Sequence, residues 1–426
     1  MTRRLVFINS AWLIADKVIR LGVGLVVWVW LARHFGPGGF GLWNYAIAFT
    51  ALFGAVTTLG MDGIVVRELV RDPSRAGVLL GTATRLRLIA SIAAACACVV
   101  SLLWLRPGQP LALFLVAMNA IVLVLQSSQT IDWHFQARMH TRPAVIAVNV
   151  AFLATTLARL ALLAIEAPLS WFAATLVLEA TLAAGFLLLA YRRDAEHRVH
   201  WRFDASVARE LLKHSWPLLL SSLAVMVYMR MDQVMLASMA GDQAVGHFSA
   251  ALRIAEVWYF IPMSLMSAAF PVMMQKREQG PQAYEQYVQR LYDGMAWLGI
   301  GVAVCTTLLA PWLIERLYGP LYAPSAAVLS IQIWAGVTVA MSFVHSRWLL
   351  AEGLQKYSLF YTVLGMCVNV ALNLALIPRL GAKGAALATI ATQIGLLPVQ
   401  LVFPRARRNF ILMVSAIVAP YRLARR

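Results

Sequence analysis

Charged residues are scarce in this chain of 426 residues. Only 13% are Asp, Glu, Lys or Arg, whereas 61% are hydrophobic and the mean hydropathy is +0.72. A water-soluble domain carries roughly a quarter charged residues and under half apolar ones. Acids are the scarcer sign, with 19 against 36 Lys and Arg, which leaves a formal net charge of +17. A nucleic-acid-binding domain would gather its basic residues on one solvated face, but here they separate long apolar runs, so we predict no nucleic-acid partner.

Residues that bind metals or carry out catalysis are also few. The four cysteines lie inside apolar stretches, and the eight histidines show no ligand spacing. The Gly-x-Gly at residues 36–38 has no strand before it and is typical of a turn, not of a phosphate-binding loop. We therefore predict no catalytic constellation, no metal site and no cofactor, and expect that the protein is not an enzyme.

Long apolar runs are what the chain has in abundance. A membrane helix needs roughly 20 mainly apolar residues to cross a hydrocarbon layer about 30 Å thick. Twelve runs of this kind occur, separated by breaks rich in glycine and proline. They are centred near Gly22, Ala51, Ala94, Val122, Leu153, Thr181, Met226, Trp258, Gly301, Thr338, Val370 and Ile394. The sequence predicts an all-α integral membrane protein with about twelve transmembrane helices.

The basic residues are distributed unequally between the two sides of the membrane. If the amino terminus is cytoplasmic, 25 of the Lys and Arg residues, Arg85 and Arg87 among them, fall in the inner loops and the tail, and 5 fall outside. Cytoplasmic loops carry the excess of Lys and Arg in membrane proteins. With an even number of spans, both termini are predicted to be cytoplasmic.

The longest hydrophilic stretch, residues 192–213, divides the chain near its middle, and the sequence repeats itself weakly on either side of it. Residues 31–46 and 236–251 share five identities at a constant offset of 205, and two of the identical pairs are glycines. Six spans per half is an even number, which makes the repeats parallel. We predict two pseudo-symmetric six-helix lobes around a central cavity. The predicted bounds are residues 1–191 and 214–403 for the lobes, 192–213 for a cytoplasmic linker and 404–426 for a basic tail.

The tail combines arginines with an apolar stretch near residues 409–420. This stretch is too short to cross the hydrocarbon layer unaided. It can lie in the interface, anchored by its arginines, and a partial span is the alternative.

Four segments resemble, in order along the chain, motifs of the bacterial polysaccharide and O-antigen flippases, the Wzx-type family. Residues 32–41 match the pattern ARxxGPxxFG, and residues 133–137 match WxFQA. Residues 318–326 match YGxxYxPSA, and residues 377–386 match IPxxGAxGAA. The resemblance covers essentially the whole chain and places it in the multidrug, oligosaccharidyl-lipid and polysaccharide (MOP) exporter superfamily.

The resemblance implies a flippase of the bacterial cytoplasmic (inner) membrane. It would carry undecaprenyl-pyrophosphate-linked oligosaccharides to the periplasmic leaflet by alternating access, for O-antigen or exopolysaccharide biosynthesis. Its partners would be this substrate, membrane lipids and other polysaccharide assembly proteins. One alternative is a cation-coupled multidrug exporter of the same superfamily. Another is a membrane enzyme that consumes lipid-linked sugars, but the short predicted outer loops leave little room for a catalytic domain.

Eleven charged residues fall inside the predicted spans, and they are the main functional candidates. A central charge costs roughly 2.5–3.5 kcal/mol, so such residues face a cavity or pair with one another. Arginine holds phosphate through forked hydrogen bonds. The predicted substrate cavity is formed by Lys17, Arg20, Arg159, Arg230 and Arg253.

Ion pairs within the protein are the alternative for these basic residues. Asp16 lies four residues before Arg20, on the same helix face. Glu256 follows Arg253 by three residues, and Glu179 can reach Arg159 from the next helix. Ion coupling is also plausible because buried carboxylates titrate with a raised pKa. The candidate carriers are Asp16, Glu179, Asp232 and Glu256.

Overall fold

The computed structural model describes the backbone of residues 3–194 and 199–418, and the side chains of residues 22–194, 199–354 and 357–418. Over these residues the chain is helical and contains no β-strand. The helices are α1 (Arg3–Thr57), α2 (Asp62–Arg71), α3 (Ala76–Leu105), α4 (Pro110–Leu125), α5 (Thr130–Ala137), α6 (Arg142–Ala164), α7 (Leu169–Arg193), α8 (Ala205–Ala240), α9 (Asp242–Val257), α10 (Phe260–Glu278), α11 (Pro281–Tyr318), α12 (Ala323–Gln332), α13 (Ala335–Ala351), α14 (Gln355–Leu380), α15 (Ala382–Leu396) and α16 (Arg407–Val418).

Ten helical stretches of the described chain are long and apolar enough to cross a membrane. An eleventh is broken, because Pro320–Gln332 and Ala335–Ala351 pass the same test only together, with a bend of 43° between them. The stretch Gly22–Arg71 is 50 residues long and contains a kink at Gly36, whose φ of 62° and ψ of 178° are not helical. Counting its two halves separately gives twelve spans. The predicted all-α membrane fold is confirmed.

The chain packs into two compact units. Unit 1 comprises Met1–Phe35 and Leu42–Met231, and unit 2 comprises Gly36–Gly41 and Asp232–Arg426. The boundary falls inside α8, because packing and not the repeat defines these units. The predicted lobe boundaries at residues 191 and 214 rest on the longest hydrophilic stretch of the sequence and stay a prediction.

In unit 1, the segment 199–204 packs against the first turns of α3. The Arg202 backbone N–H donates to the Gly77 carbonyl oxygen at 3.1 Å, and the Asp204 backbone N–H donates to a side chain of α3 at 3.0 Å. A Cβ at Gly81 would overlap the Arg202 backbone, so only glycine allows this approach. This part of the predicted linker is packed against unit 1.

Asp204 then caps the start of α8. Its carboxylate accepts hydrogen bonds from the backbone N–H groups of Ser206, at 2.7 Å, and Val207, at 3.2 Å. A side-chain acceptor at this position satisfies donors that have no partner within the helix. Hydrogen bonds from the Ser206 hydroxyl and these backbone groups hold the pKa of Asp204 below its usual range.

Unit 2 contains a reciprocal crossing of the two glycine-rich repeat segments. A Cβ added at Gly41 would overlap the Asp242 carbonyl oxygen, and a Cβ added at Gly246 would overlap the Pro37 carbonyl oxygen. Residues 37 and 242 differ by the same offset of 205 as residues 41 and 246. In each segment, therefore, the glycine lies against the equivalent carbonyl group of the other segment, as in an isologous interface. Small residues at helix crossings allow backbones to approach closely in membranes.

Each crossing glycine is preceded, five residues earlier, by another glycine with a similar non-helical backbone conformation. Gly36 has φ 62° and ψ 178°, and Gly241 has φ 85° and ψ 170°. These are conformations that glycine adopts and that L side chains strongly disfavour. Of the five identical pairs, Gly36 and Gly241 allow the backbone conformation at the helix starts. Gly41 and Gly246 allow the crossing.

Buried aromatic and hydroxyl groups surround the crossing in unit 2. The Phe40 ring lies edge-on to Tyr322, with centroids 6.2 Å apart, and both side chains are fully buried. His247 Nδ1 lies 3.2 Å from Ser325 Oγ. These contacts join α9 and α12 to the short segment contributed by α1.

The tail forms the docked helix α16, which packs on α11 in unit 2. Asn409 is fully buried and lies at the centre of the contact. Its Oδ1 accepts from the Tyr292 hydroxyl at 2.8 Å, and its Nδ2 donates to Gln400 Oε1 at 2.9 Å and lies 2.8 Å from His345 Nδ1. Up to Val418, therefore, the tail is part of the packed structure of unit 2.

We expect Gly246→Ala to destabilise the protein by about 1–3 kcal/mol, because the added methyl group meets a backbone carbonyl that cannot rotate away. Gly38→Ala is the matched control, since nothing lies within 4 Å of a Cβ there. Thermal unfolding of both purified variants in detergent measures the difference. Equal melting temperatures for the two variants would contradict the tight crossing.

Candidate functional site

Three predicted site residues, Asp16, Lys17 and Arg20, have side chains outside the described residues. Only the backbone of this part of α1 is described, and it is helical. Their assignment to a cationic cavity or to ion coupling stays a prediction from the sequence.

Arg159 has a protein partner in unit 1. Its Nη2 lies 2.7 Å from Glu179 Oε2, and its Nε donates to Thr175 Oγ1 at 2.9 Å. The three residues join α6 to α7, and the exposed fractions of the Arg159 and Glu179 side chains are 11% and 27%. The pairing of Glu179 with Arg159, which the sequence left as an alternative to substrate binding, is present.

Arg230, Arg253 and Glu256 are half-buried residues of apolar helices. Arg230 lies on α8, and the other two lie three residues apart on α9. Arg253 is near enough to the hydroxyl of Tyr318 to act on it electrostatically. Their predicted contacts with substrate or coupling ion remain predictions.

Asp232 lies in unit 2 among neutral polar groups. The residue is 7% exposed. Its Oδ1 accepts a hydrogen bond from Asn373 Nδ2 at 2.6 Å, and its Oδ2 accepts one from Thr389 Oγ1 at 2.8 Å. Asn373 Nδ2 also donates to Asn369 Oδ1 at 3.1 Å. Among the residues with described side chains, no basic group lies within salt-bridge distance of this carboxylate.

The Asp232 cluster combines a carboxylate with amide and hydroxyl oxygens. Such oxygens are the ligands of hard cations, and a carboxylate with only neutral neighbours can also take up a proton. Asn369 and Asn373 lie four residues apart and therefore on one face of α14. This spacing of polar residues inside an apolar run is visible in the sequence and is the signal that points to the cluster.

A second polar site is a cavity inside unit 1, between α1, α3, α4 and α8. Its volume of about 700 Å³ lies within the range of small-molecule binding sites. Apolar side chains form much of the lining, and other lining side chains can donate or accept hydrogen bonds. The polar residues that line it are Thr50, Thr57, Thr58, Asp62, Arg87, Asn119, Gln126, Gln129, Ser221 and Ser222.

Arg87 is the basic residue of this cavity and is only 2% exposed. Its guanidinium carbon lies 5.0 Å from the centroid of the Trp133 ring, within the range of a cation–π contact. Asp62 is near enough to act on it electrostatically. Arg87 Nε has no hydrogen-bond partner among the described residues. The cavity is thus lined by an arginine whose guanidinium group lies against an aromatic ring.

Arg87, which the sequence groups with the basic residues of the inner loops, is a buried residue of α3. Because α3 already begins at Ala76, Arg87 lies three turns into the helix. Arg85, two residues earlier, is exposed and contacts the Phe203 ring at 5.4 Å. Adjacent arginines of one basic cluster therefore have different surroundings.

The cavity of unit 1 contains none of the predicted substrate-site residues whose side chains are described. Of the predicted residues with described side chains, Arg159, Arg230 and Arg253 do not line it. Among the side chains that the structure describes, no three or more His, Cys, Asp or Glu residues could hold a metal ion together.

Comparison with known families identifies the chain. The family described as "Polysaccharide biosynthesis protein" matches residues 6–277. The chain belongs to this polysaccharide biosynthesis protein family. The MatE family also matches, over residues 217–375. The prediction from the loop motifs that the chain belongs to the MOP superfamily is therefore confirmed.

A curated relative matches over a shorter stretch. The probable flippase AglR of Haloferax volcanii is 27% identical over 192 residues. These residues make up 42% of this chain and 37% of the relative, so the match spans well under half the length of either protein.

Solved structures share the fold of this polysaccharide biosynthesis family member along nearly its whole length. The lipid II flippase MurJ, in an inward closed conformation, superposes with a TM-score of 0.74 at 13% identity, covering 98% of this chain and 92% of MurJ. An inward-facing MATE transporter gives a TM-score of 0.67 at 14% identity, covering 92% and 94%. A MOP superfamily transporter from Pyrococcus furiosus gives 0.60 at 15% identity, covering 95% of each chain. At such identities the likeness concerns the fold.

The family motifs lie at packing contacts. Residues 32–41 contain a crossing glycine, and residues 318–326 contain Tyr322 and Ser325 beside that crossing. In the motif at residues 377–386, a Cβ at Gly384 would overlap the Leu376 carbonyl oxygen, so this glycine permits the tight connection between α14 and α15. Three of the four motifs thus contribute packing contacts. The fourth, at residues 133–137, supplies the Trp133 ring that contacts Arg87 in the cavity.

For the α6–α7 ion pair, we expect Arg159→Ala to destabilise the protein by about 1–3 kcal/mol, because it leaves the Glu179 carboxylate without its partner in an apolar setting. The double variant with Glu179→Ala is expected to lose less than the sum of the two single variants, since contacting residues are coupled. Unfolding of all three variants in detergent measures the coupling. Additive losses would show that the pair contributes nothing.

Proposed function

We propose that the protein is a flippase for lipid-linked oligosaccharides. Its substrate would be an undecaprenyl-pyrophosphate-linked repeat unit of a surface polysaccharide such as O-antigen or exopolysaccharide. It would move this unit from the cytoplasmic to the periplasmic leaflet by alternating access. The observation that carries the proposal is the cavity of unit 1. It is lined in part by polar side chains, although 61% of the residues of the chain are hydrophobic.

The cavity lining matches the chemistry of such a headgroup. Sugars present many hydroxyl groups, and the amides and hydroxyls of Asn119, Gln126, Gln129 and Ser222 can donate to them and accept from them. A pyrophosphate needs a cation, and Arg87 is the basic residue of the lining. Because Trp133 holds the guanidinium from one face, little side-chain entropy is lost when it binds.

The predicted basic residues extend this proposal beyond the cavity. Lys17, Arg20, Arg159, Arg230 and Arg253 are proposed to meet the pyrophosphate at other stages of its passage. For Arg159, this role requires exchange of the Glu179 contact for a phosphate contact.

We expect Arg87→Ala to weaken binding of a polyprenyl pyrophosphate roughly 10- to 100-fold, the loss of one charge-assisted hydrogen bond in a secluded site. Arg85→Ala removes the same charge two residues away, outside the cavity, and is expected to bind normally. Titration of purified protein with farnesyl pyrophosphate measures both. In a strain that lacks the gene, Arg87→Ala should fail to restore surface polysaccharide, and Arg85→Ala should restore it.

Two results would contradict the proposal. One is intact surface polysaccharide in the strain that lacks the gene. The other is equal binding of farnesyl pyrophosphate by Arg87→Ala and Arg85→Ala, which would show that Arg87 and its cavity do not bind the pyrophosphate.

For energy coupling, we propose Asp232 as the carboxylate that carries the coupling ion. Of the four candidates, Glu179 already has Arg159 as a cationic partner, whereas the hydrogen-bond partners of Asp232 are neutral. A carboxylate without a fixed cation leaves room for a proton or a sodium ion. Asn369, Asn373 and Thr389 would complete the coordination of sodium. Asp16 and Glu256 remain alternatives.

We expect Asp232→Asn to abolish the dependence of transport on an ion gradient, because an amide can neither release a proton nor neutralise a cation. Asp293→Asn is the matched control, as Asp293 is also 7% exposed and lies outside the cluster. Transport into proteoliposomes with imposed sodium or proton gradients measures the effect. Gradient-dependent transport by Asp232→Asn would exclude this residue as carrier.

A multidrug exporter of the same superfamily is the second candidate function. The match of residues 217–375 to the MatE family favours it. The buried guanidinium in the cavity favours an anionic substrate, in contrast to the cationic drugs of such exporters. Uptake of organic cations by proteoliposomes distinguishes the two. A membrane enzyme that consumes lipid-linked sugars would instead release a shortened or elongated product.

The proposed setting is the bacterial inner membrane with both termini cytoplasmic. The ten apolar helices and the broken eleventh support a multi-pass protein. The orientation rests on the excess of Lys and Arg in the predicted inner loops. Other polysaccharide assembly proteins are proposed partners.

A further inference from the structure

Unit 1 has a groove between α6 and α7 that the proposed transport path does not use. Its volume is about 630 Å³. The lining is mainly apolar over most of its length, and basic residues lie at one end. None of its residues belongs to the polar cavity around Arg87.

Small residues form the floor of the groove. Ala147 on α6 and Ala190 on α7 lie between larger side chains, among them Ile146, Phe186 and Leu189. The last three residues are exposed or half-buried, so they present apolar walls on either side of a shallow channel. A channel of this shape accepts a flexible hydrocarbon chain.

The basic end of the groove follows from the topology of the helix pair. A connection of only residues 165–168 joins α6 to α7, so the two helices run in opposite directions. Arg142, the first residue of α6, and Arg193, the last of α7, therefore lie at the same end, and both line the groove. Planar guanidinium groups bind phosphate oxygens through paired hydrogen bonds.

The acid at this end already has partners. Asp194 Oδ2 lies 3.9 Å from Arg138 Nη1 and 3.4 Å from His134 Nε2. Its charge is thus opposed by Arg138, which is not among the residues that line the groove. Among the described charged residues at this end, the three arginines Arg138, Arg142 and Arg193 outnumber the one acid, Asp194, so their net charge is positive.

The depth of the groove corresponds to one leaflet. From Arg142 to Val150 the helix rises about 12 Å at 1.5 Å per residue. Half of a hydrocarbon layer about 30 Å thick is about 15 Å. A phosphate bound at the arginines would place an acyl chain along the apolar part of the groove.

We propose that this groove is a binding site for an anionic phospholipid of the surrounding leaflet. Arg142 and Arg193 bind the phosphate, and Ile146, Val150 and Leu189 contact an acyl chain. Basic pockets between transmembrane helices are general binding sites for anionic lipid headgroups. The proposal does not depend on the proposed transport function.

The groove fits a phospholipid better than the polyprenyl substrate. An undecaprenyl chain is much longer than one leaflet is deep, so most of it would extend beyond Val150. The groove end also offers arginines but few of the amide and hydroxyl groups that a sugar headgroup needs.

The test is lipid binding by the purified full-length protein, measured by native mass spectrometry during titration with phosphatidylglycerol and with zwitterionic phosphatidylethanolamine. We expect tighter binding of phosphatidylglycerol, and a roughly 10- to 30-fold loss in the double variant Arg142→Gln/Arg193→Gln. The control Arg192→Gln/Arg209→Gln removes the same charge from exposed positions outside the groove. It is expected to bind like the wild type.

A second variant tests the apolar part of the groove without changing its charge. Ala190→Leu fills the floor and is expected to weaken phosphatidylglycerol binding as well, while thermal unfolding shows that the variant is folded. Equal binding of the two lipids, or equal losses in the two double variants, would overturn the proposal. Displacement of bound phosphatidylglycerol by equimolar undecaprenyl phosphate would overturn it too, since the groove would then belong to the substrate.

Discussion

The cost of placing charge in an apolar medium governs the chemistry of this protein. Each buried charge that the structure describes in detail meets this cost differently. Arg159 has an acid on the neighbouring helix, Asp232 has amide and hydroxyl donors, and Arg87 has the face of an indole ring. The ion pair leaves least capacity for a ligand. The other two arrangements support a charge without neutralising it by a hydrogen-bonded counter-ion, which is the condition for binding an ion or an anionic headgroup.

Glycine at helix crossings fixes the architecture around these groups. The crossing of the two repeat segments, the approach of residues 199–204 to α3 and the α14–α15 connection all bring one backbone against another at a glycine. Backbone contacts of this kind define position without depending on side-chain rotamers. Two of the family motifs, at residues 32–41 and 377–386, contain the glycine of such a contact.

Much of the fold could be predicted from the sequence, because hydrophobic length and loop charge are direct consequences of the bilayer. The span count was obtained in this way, and the repeat was visible as five identities. Contacts between distant segments were not accessible. Asn373 and Thr389 lie 141 and 157 residues from Asp232, so no local pattern shows that the three meet. The burial of Arg87 was not accessible either, because it depends on packing against Trp133, a residue of another helix.

The reciprocal crossing also bears on how the two halves of the chain can diverge. After a duplication, two copies of a segment ordinarily drift apart, since each is free to adapt to its own surroundings. Here Gly41 and Gly246 each lie against the backbone of the opposite copy. A side chain gained in one copy would displace the other, so neither copy can change alone. Substitution of either glycine is therefore expected to perturb both segments, so the two positions are constrained together.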